Sequence, residues 1–186
     1  MFNLIKTFIN NFWGKKRVKI ETFCELLRNR GVQIGKNVSI ISMPHTSSEP
    51  YLISIGDNTT ISFDVALITH DAATRVIRNL PNGDTETVIY GTIDIGNNCF
   101  IGARTTILPN VKIGDNTIIG ACSLVNRDIP SNVVAAGNPC KVICSLEEYQ
   151  KKHQKDFLYM VSLPYEKKKE YLTEHFKKKH DGDSSK

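Results

Sequence analysis

Aliphatic residues recur every six positions through the middle of this chain, and polar residues separate them. The longest run in phase is Ile89, Ile95, Ile101, Ile107, Ile113, Ile119 and Val125. The same period holds in two earlier sets, Ile34 with Ile40, and Ile55 with Ile61 and Leu67. A period of six does not fit an amphipathic helix, but it fits a short strand and a corner repeated three times per turn. The pattern therefore predicts a parallel coil with three hexads per turn, whose aliphatic side chains point into a narrow core.

The residues between the aliphatic positions are of types that suit tight corners. Gly follows many of the aliphatic residues, and Asn recurs at Asn37, Asn58, Asn98 and Asn116. Both residue types tolerate tight or left-handed backbone conformations. Small or β-branched residues come four positions after the aliphatic ones, at Val38, Thr59, Val65, Thr105, Thr117 and Ser123. We expect these side chains to fit inside the same narrow section.

Two breaks in the period indicate loops that leave the coil. The step from Ile34 to Ile55 exceeds one turn of three hexads, which predicts an excursion at about residues 42–51. The step from Leu67 to Ile89 exceeds one turn by more, which predicts a longer excursion at about 71–88, with turn-forming residues at 80–84. Loops carried on a rigid scaffold are common sites of specificity.

The two ends of the chain have helical patterns. Apolar residues at helical spacing, with polar residues opposite, predict a short helix containing Phe2, Ile5, Phe8, Ile9 and Phe12. Residues 1–30 would then form an amphipathic, basic helical cap, and residues 31–144 the coil. The sequence 145–148 reads as a capping box that opens a helix to about Met160. After Pro164, a second helix at 165–179 precedes a disordered end, so that 145–186 form a helical tail.

The positive charge of the chain lies mainly at its start. The formal net charge is +5 overall, with +5 in residues 1–30, −2 in 31–144 and +2 in 145–186. A mildly acidic coil argues against nucleic acid as a partner. The five cysteines include no CxxC pair, and no secretion signal or membrane-spanning run is recognisable, so we expect reduced thiols in a cytoplasmic protein.

Several stretches of the second half resemble a known family. The stretches are residues 95–102, 113–121, 128–130 and 136–143. They resemble the C-terminal half of the hexapeptide-repeat acetyltransferases, which include galactoside, maltose and xenobiotic acetyltransferases and capsule or O-antigen O-acetyltransferases. The resemblance covers about residues 31–144. It implies an all-β fold, a left-handed parallel β-helix, with a homotrimeric assembly and an acetyl-CoA site between neighbouring subunits.

Acyl transfer from a thioester to a hydroxyl needs a base for the hydroxyl proton, and imidazole suits this because its pKa is near neutrality. His70 stands where the period breaks and the long loop begins, a position that resembles that of the family's catalytic histidine. Asp71 is a candidate for orienting the imidazole, or it only caps the following turn. Asp64, one hexad earlier, and the loop residues Arg75 and Arg78 are candidates for binding the acceptor.

The coenzyme needs backbone N–H groups along the coil and cations for its phosphates. Gly102 and Ala103 precede Gly120 and Ala121 by one full turn of three hexads, so the two pairs should stack and offer backbone on one ridge. Lys141 is the expected phosphate partner.

We expect O-acetylation of a sugar hydroxyl in surface polysaccharide biosynthesis, without a metal. N-acetylation of an amino-sugar nucleotide needs a similar base and stays open, as does a non-catalytic binding or assembly module. A zinc enzyme on this fold would need three His ligands, whereas only His45 and His70 lie in the coil. The N-terminal helix either covers the open end of the coil or associates with an anionic membrane surface.

Overall fold

The computed structural model describes residues 20–183, and the side chains of residues 23–178. The chain divides into two compact units between Gln150 and Lys151. The helices are α1 (Ile20–Asn29), α2 (Thr74–Arg78), α3 (Leu146–His153) and α4 (Tyr165–Asp183).

The strands of the first unit lie mainly in three parallel sheets. The first sheet contains β1 (Gln33–Ile34), β4 (Ile53–Ile55), β9 (Ile93–Ile95) and β12 (Val111–Ile113). The second contains β2 (Ser39–Ile40), β5 (Thr60–Ile61), β10 (Phe100–Ile101), β13 (Ile118–Ile119) and β15 (Val133–Ala136), with β16 (Lys141–Ser145) added antiparallel. The third contains β3 (His45–Thr46), β6 (Ala66–Leu67), β11 (Thr106–Ile107) and β14 (Leu124–Val125). Successive strands lie in successive sheets, which confirms a coil of parallel strands.

A separate antiparallel pair stands outside the three sheets. It is formed by β7 (His70–Asp71) and β8 (Ile89–Tyr90), the strands at which the long loop leaves and returns. Thr60 pairs with Phe100, an offset of 40 (100 − 60), whereas Phe100 pairs with Ile118, an offset of 18 (118 − 100). The turn that contains the long loop is therefore more than twice as long as the regular turn that follows it.

The first excursion begins later than the period indicated. His45 of β3 already pairs with Ala66 at the offset of 21 (66 − 45), so the extra residues lie after Thr46 and not from residue 42. Thr46 is paired with Leu67 and takes the inward position that an aliphatic residue takes in the other turns. The hexad pattern could not reveal this strand because its inward residue is polar.

The inward side chains confirm the predicted core. The aliphatic residues at hexad positions are buried at Ile40, Ile55, Ile61, Leu67, Ile95, Ile101, Ile107, Ile113, Ile119 and Val125. The predicted small residues are buried as well, at Val38, Thr59, Val65, Thr105, Thr117 and Ser123. Ile34 is partly buried and packs against this core. Ile89 is 49% exposed, because β8 belongs to the loop and not to the coil.

Asn and Gly occur at the corners of the coil for two different reasons. Asn37, Asn58, Asn98 and Asn116 have φ between 53° and 57°, the left-handed conformation that the sequence predicted. Gly102 has no such φ. A Cβ on Gly102 would lie 2.5 Å from the backbone nitrogen of Ala121 in the next turn, so glycine is needed there for the close approach of two turns.

Helix α1 covers the first turn of the coil. Cys24 and Leu27 of this helix are buried, and the Cys24 thiol donates to the carbonyl of Val38 at 3.6 Å. Burial raises the pKa of this thiol. Arg28 Nη2 donates to the carbonyls of Ile34 and Gly35 at 3.0 and 2.9 Å. The helix predicted around Phe2 to Phe12, and its membrane alternative, lie outside the described residues.

The capping box after the coil is confirmed. Ser145 Oγ accepts the N–H of Glu148 at 3.1 Å, and Glu148 Oε2 accepts the N–H of Ser145 at 2.8 Å. Helix α3 ends at His153 instead of about Met160, because it buries no residue that would stabilise further turns. Helix α4 runs to Asp183, beyond the predicted end at residue 179, and residues 184–186 lie outside the described part. Within residues 20–183, no helix has the length and hydrophobicity needed to span a bilayer.

Candidate active site

The strand pair β7–β8 determines which side chains share a face beside the long loop. His70 lies directly opposite Tyr90, and Asp71 lies opposite Ile89. Successive side chains of a strand point to opposite faces, so His70 and Tyr90 share one face while Asp71 and Ile89 share the other. The rings of His70 and Tyr90 are in edge contact, with centroids 6.1 Å apart and planes at 71°.

The imidazole of His70 is hydrogen-bonded to a carboxylate that no sequence motif pointed to. His70 Nδ1 lies 2.8 Å from Glu49 Oε2, with side chains 30% and 13% exposed. The hydroxyl of Thr69 donates to the same oxygen at 3.3 Å. The hydrogen bond from His70 lowers the pKa of Glu49 below its ordinary value of 4.5. Glu49 is therefore an anion at neutral pH, accepts the proton on Nδ1, and leaves the lone pair of His70 on Nε2.

The two excursions of the chain bring this pair together. Glu49 follows Thr46 in the short excursion, and the turn that contains it stacks on the turn that contains His70. The hydroxyl of Ser47 accepts the N–H of Thr69 at 3.1 Å, which joins the two corners directly. The offset between Glu49 and His70 is 21 (70 − 49), the same as that of the strands of these two turns. The sequence already shows an offset of 21 in the step from Ile34 to Ile55. This offset is the signal that could have identified Glu49 as a neighbour of His70.

Asp71 does not orient the imidazole. Its side chain is on the opposite face of β7, and Asp71 Oδ1 accepts the N–H of Ala73 at 2.8 Å. The carbonyl of Asp71 also accepts the hydroxyl of Thr74 at 3.3 Å, so that this residue forms the turn that leads into α2. Of the two roles left open for Asp71, the structure supports the turn, and Glu49 makes the contact expected of Asp71.

Asp64 lies at a different corner of the coil from His70. It stands between β5 and β6 with φ of 57°, whereas His70 follows β6. Asp64 Oδ2 is 3.8 Å from Arg104 Nε, and both side chains are largely exposed. This corner is the one that also carries Ala103, on the ridge predicted for the coenzyme. Asp64 is thus a corner residue, and within one chain it lies at a different corner from His70, although it was expected to bind the acceptor near that histidine.

The two predicted arginines lie on the long loop in different settings. Both lie on α2, where Arg75 is exposed and Arg78 is half-buried. Arg78 Nε donates to the carbonyl of Thr87 at 2.6 Å and so ties α2 to the returning segment of the loop. Arg78 therefore shapes the loop, and Arg75 is the more accessible of the two cations.

The predicted coenzyme ridge stacks as expected, but different atoms are available on it. Phe100 and Ile101 pair with Ile118 and Ile119, which places Gly102–Ala103 over Gly120–Ala121. The N–H groups of both glycines donate to carbonyls of the next turn at 2.8 Å, so they are not available to hydrogen-bond a ligand. The N–H groups of Ala103 and Ala121 have no acceptor within residues 20–183. Lys141, in β16, has an exposed side chain.

In the part of the chain that the structure describes, no group of three or more His, Cys, Asp or Glu side chains could hold a metal ion. His45, the second histidine of the coil, is exposed in β3.

Comparison with known proteins identifies the family. Residues 92–127 match the model described as bacterial transferase hexapeptide (six repeats). Protein CapG of Staphylococcus aureus is 43% identical over 154 residues, which cover 81% of this chain and 87% of CapG. The chain belongs to the hexapeptide-repeat acetyltransferases. The resemblance noted in the sequence is thereby confirmed.

Two further comparisons concern galactoside acetyltransferases. The galactoside O-acetyltransferase of Escherichia coli (strain K12) is 40% identical over 121 residues, 64% of this chain and 57% of that protein. A solved structure of a galactoside acetyltransferase in complex with coenzyme A matches with a TM-score of 0.54 and 30% identity, covering 84% of each chain. This hexapeptide-repeat acetyltransferase is therefore an enzyme that transfers acyl groups.

Proposed function

We propose that this enzyme transfers the acetyl group of acetyl-CoA to a sugar hydroxyl, with His70 as the general base, in the biosynthesis of a surface polysaccharide. The observation that carries the proposal is the pair Glu49–His70, in which a carboxylate holds Nδ1 and leaves Nε2 for the acceptor. The relative named galactoside O-acetyltransferase and the solved galactoside acetyltransferase support a sugar hydroxyl as the acceptor.

The pair can move the proton that the reaction requires. Acetyl-CoA supplies an activated thioester carbonyl. His70 Nε2 removes the proton of the acceptor hydroxyl while its oxygen attacks that carbonyl, and a C–O bond forms. His70 then returns the proton to the sulfur as the C–S bond breaks, so that the products are an acetyl ester and free coenzyme A. The anionic Glu49 stabilises the imidazolium that exists between these two steps.

We propose that the coenzyme lies along the ridge of Ala103 and Ala121. Their N–H groups are the donors of this ridge without an acceptor among the described residues, so they suit the amide carbonyls of a pantetheine arm. Lys141 is exposed and suits a phosphate of the coenzyme.

Replacing Lys141 by alanine should raise the KM for acetyl-CoA about tenfold and leave the KM for the acceptor unchanged, because a charge-assisted contact is worth about that factor. Lys112→Ala is the control, since Lys112 is also exposed but lies on β12 in the first sheet. Steady-state kinetics with acetyl-CoA and with its 3′-dephospho analogue locate the contact. An unchanged KM for both thioesters in Lys141→Ala contradicts the assignment of Lys141.

The oligomeric state, the handedness of the coil and the cellular location are part of the same proposal. We propose a coil that winds left-handed and a homotrimer with the active site between neighbours, supported by the match to the galactoside acetyltransferase fold. We also propose a cytoplasmic location. The free state of Cys24, Cys99, Cys122, Cys140 and Cys144 supports it, since reduced thiols are usual there.

The proposed activity is tested by incubating the purified enzyme with acetyl-CoA and a panel of sugars, oligosaccharides and amino-sugar nucleotides. We expect release of the coenzyme thiol that depends on a hydroxyl acceptor, and a product whose acetyl group hydroxylamine removes. A product that resists hydroxylamine identifies an amide and favours the N-acetyltransferase. Absence of acceptor-dependent thiol release favours a non-catalytic module.

A further inference from the structure

We propose that Tyr90 is the platform on which the sugar ring of the acceptor stacks, and that it determines affinity for the acceptor. This inference rests on the proposed function, because it assigns a residue to the acceptor side of the same site. Tyr90 is not one of the inward-facing aliphatic positions that the period of six predicts. It lies opposite His70 because β7 and β8 pair.

The ring of Tyr90 is fixed in place beside the catalytic imidazole. The β7–β8 pairing places Tyr90 directly opposite His70, and the N–H of Gly91 donates to the carbonyl of Thr69 at 2.9 Å. The two rings meet in an edge contact at 6.1 Å and 71°. In such an arrangement the imidazole covers at most one face of the phenol ring. The position of Tyr90 is therefore fixed by backbone hydrogen bonds and not by burial of its side chain.

Most of this ring is available to a ligand. Tyr90 is 53% exposed, and its hydroxyl has no hydrogen-bond partner among residues 23–178. A tyrosine required by the core would be buried with its hydroxyl satisfied. An exposed aromatic ring that a strand pair holds beside a general base is instead suited to contact a substrate.

Sugars present a chemistry that fits this ring. The C–H groups of a pyranose form an apolar face, and its hydroxyls lie around the rim. An aromatic ring binds the apolar face through its area and its negative π surface. A pyranose stacked on Tyr90 would have rim hydroxyls beside His70, whose free nitrogen is Nε2 because Glu49 occupies Nδ1. Stacking would then hold one hydroxyl near the base, which is the positioning that acyl transfer needs.

The neighbouring residue of the same strand provides a matched control. Ile89 is 49% exposed, similar to Tyr90, but it points to the opposite face of the pair with Asp71. A contact made by the loop as a whole would be disturbed by changes at both positions. A contact made by the ring on the His70 face would be disturbed only at Tyr90.

The test measures steady-state kinetics and the pH profile of Tyr90→Ala, Tyr90→Leu, Tyr90→Phe and Ile89→Ala, with the sugar that the native enzyme accepts best. We expect Tyr90→Ala and Tyr90→Leu to raise the KM for the acceptor about tenfold, the factor that an aromatic contact is worth. The KM for acetyl-CoA and the pH dependence of kcat should not change. Tyr90→Phe and Ile89→Ala should behave as the native enzyme.

The leucine variant keeps the test informative if the alanine variant folds poorly, since it retains much of the bulk of the side chain. An unchanged acceptor KM in Tyr90→Leu overturns the inference. A shifted pH profile, or a Tyr90→Phe variant as impaired as Tyr90→Leu, also overturns it, because Tyr90 would then act through His70 or through its hydroxyl. These outcomes leave the proposed function intact, whereas failure of the native enzyme to acetylate any sugar refutes that function itself.

Discussion

His70→Ala should lower kcat/KM for acetyl transfer by about 10²–10⁴-fold, which is the usual contribution of a general base. The loss should be large because His70 Nε2 is the nitrogen that remains free to take the hydroxyl proton once Glu49 has bound Nδ1. Release of the coenzyme thiol in the presence of acetyl-CoA and the preferred sugar measures the effect. The KM for acetyl-CoA should change little, since the coenzyme is proposed to bind along another corner of the coil.

His45→Ala is the matched control for this variant. His45 also lies at the start of a short strand after a corner of the coil, but its side chain is exposed and lies in β3. The control should keep native activity and native thermal stability. Retention of more than about a tenth of native activity in His70→Ala would contradict the proposed mechanism, because a general base contributes at least about 10²-fold to the rate.

Glu49→Gln should lower kcat by about 10- to 100-fold, the loss typical when the partner that orients a metal-bound histidine is removed, which we take as the scale for Glu49. Glutamine is similar in shape and its carbonyl can still accept the Nδ1 proton, so the substitution removes the charge more than the geometry. Without the anion the imidazolium formed during the reaction is less stable. The same thiol-release assay measures kcat, and the KM for both substrates should stay close to native.

Asp71→Asn provides the comparison that separates the two carboxylates beside His70. Asp71 faces the other side of β7 and accepts the N–H of Ala73, so its amide variant should retain most of the activity. A larger loss in Asp71→Asn than in Glu49→Gln would mean that the orienting carboxylate has been assigned wrongly.

The pH dependence of stability gives an independent readout for Glu49. The pKa of Glu49 is lowered in the folded protein because His70 donates a hydrogen bond to its carboxylate. A lowered pKa stabilises the fold above the pKa of the unfolded state, and this contribution disappears as the pH falls through the folded value. The difference in Tm between the native protein and Glu49→Gln should therefore shrink below about pH 4.5, where the ordinary pKa lies. A difference that stays constant down to about pH 3 would argue against the hydrogen bond.

The coil could be predicted from the sequence because the same residue types recur at the same positions of each hexad. An inward aliphatic residue such as Ile101 or Ile119, a small residue four positions later, and an Asn with left-handed φ recur in nearly every turn. The prediction was wrong where one of these signals was absent or imitated. Thr46 is a polar inward residue, so the period of six places β3 within the first loop. Ile89 continues the period of six although it lies outside the coil.

The candidate site was predicted only in part. His70 stands out in the sequence because the period breaks next to it, and the stacking of Gly102 with Gly120 follows from their separation by three hexads. The atoms that the ridge offers could not be foreseen, because it is the hydrogen bonding between turns that uses the glycine N–H groups and leaves those of Ala103 and Ala121.

The sequence by itself determined the architecture, the position of His70 and the family, since these depend on residue types repeated at short, regular spacing. The tertiary structure alone decided that His70 is held by Glu49 and faces Tyr90, and that Asp71 forms a turn. Those relations depend on the register between turns and on the face to which each side chain of β7 and β8 points. A shift of one residue in either register would exchange the faces, and the local sequence around His70 contains nothing that specifies it.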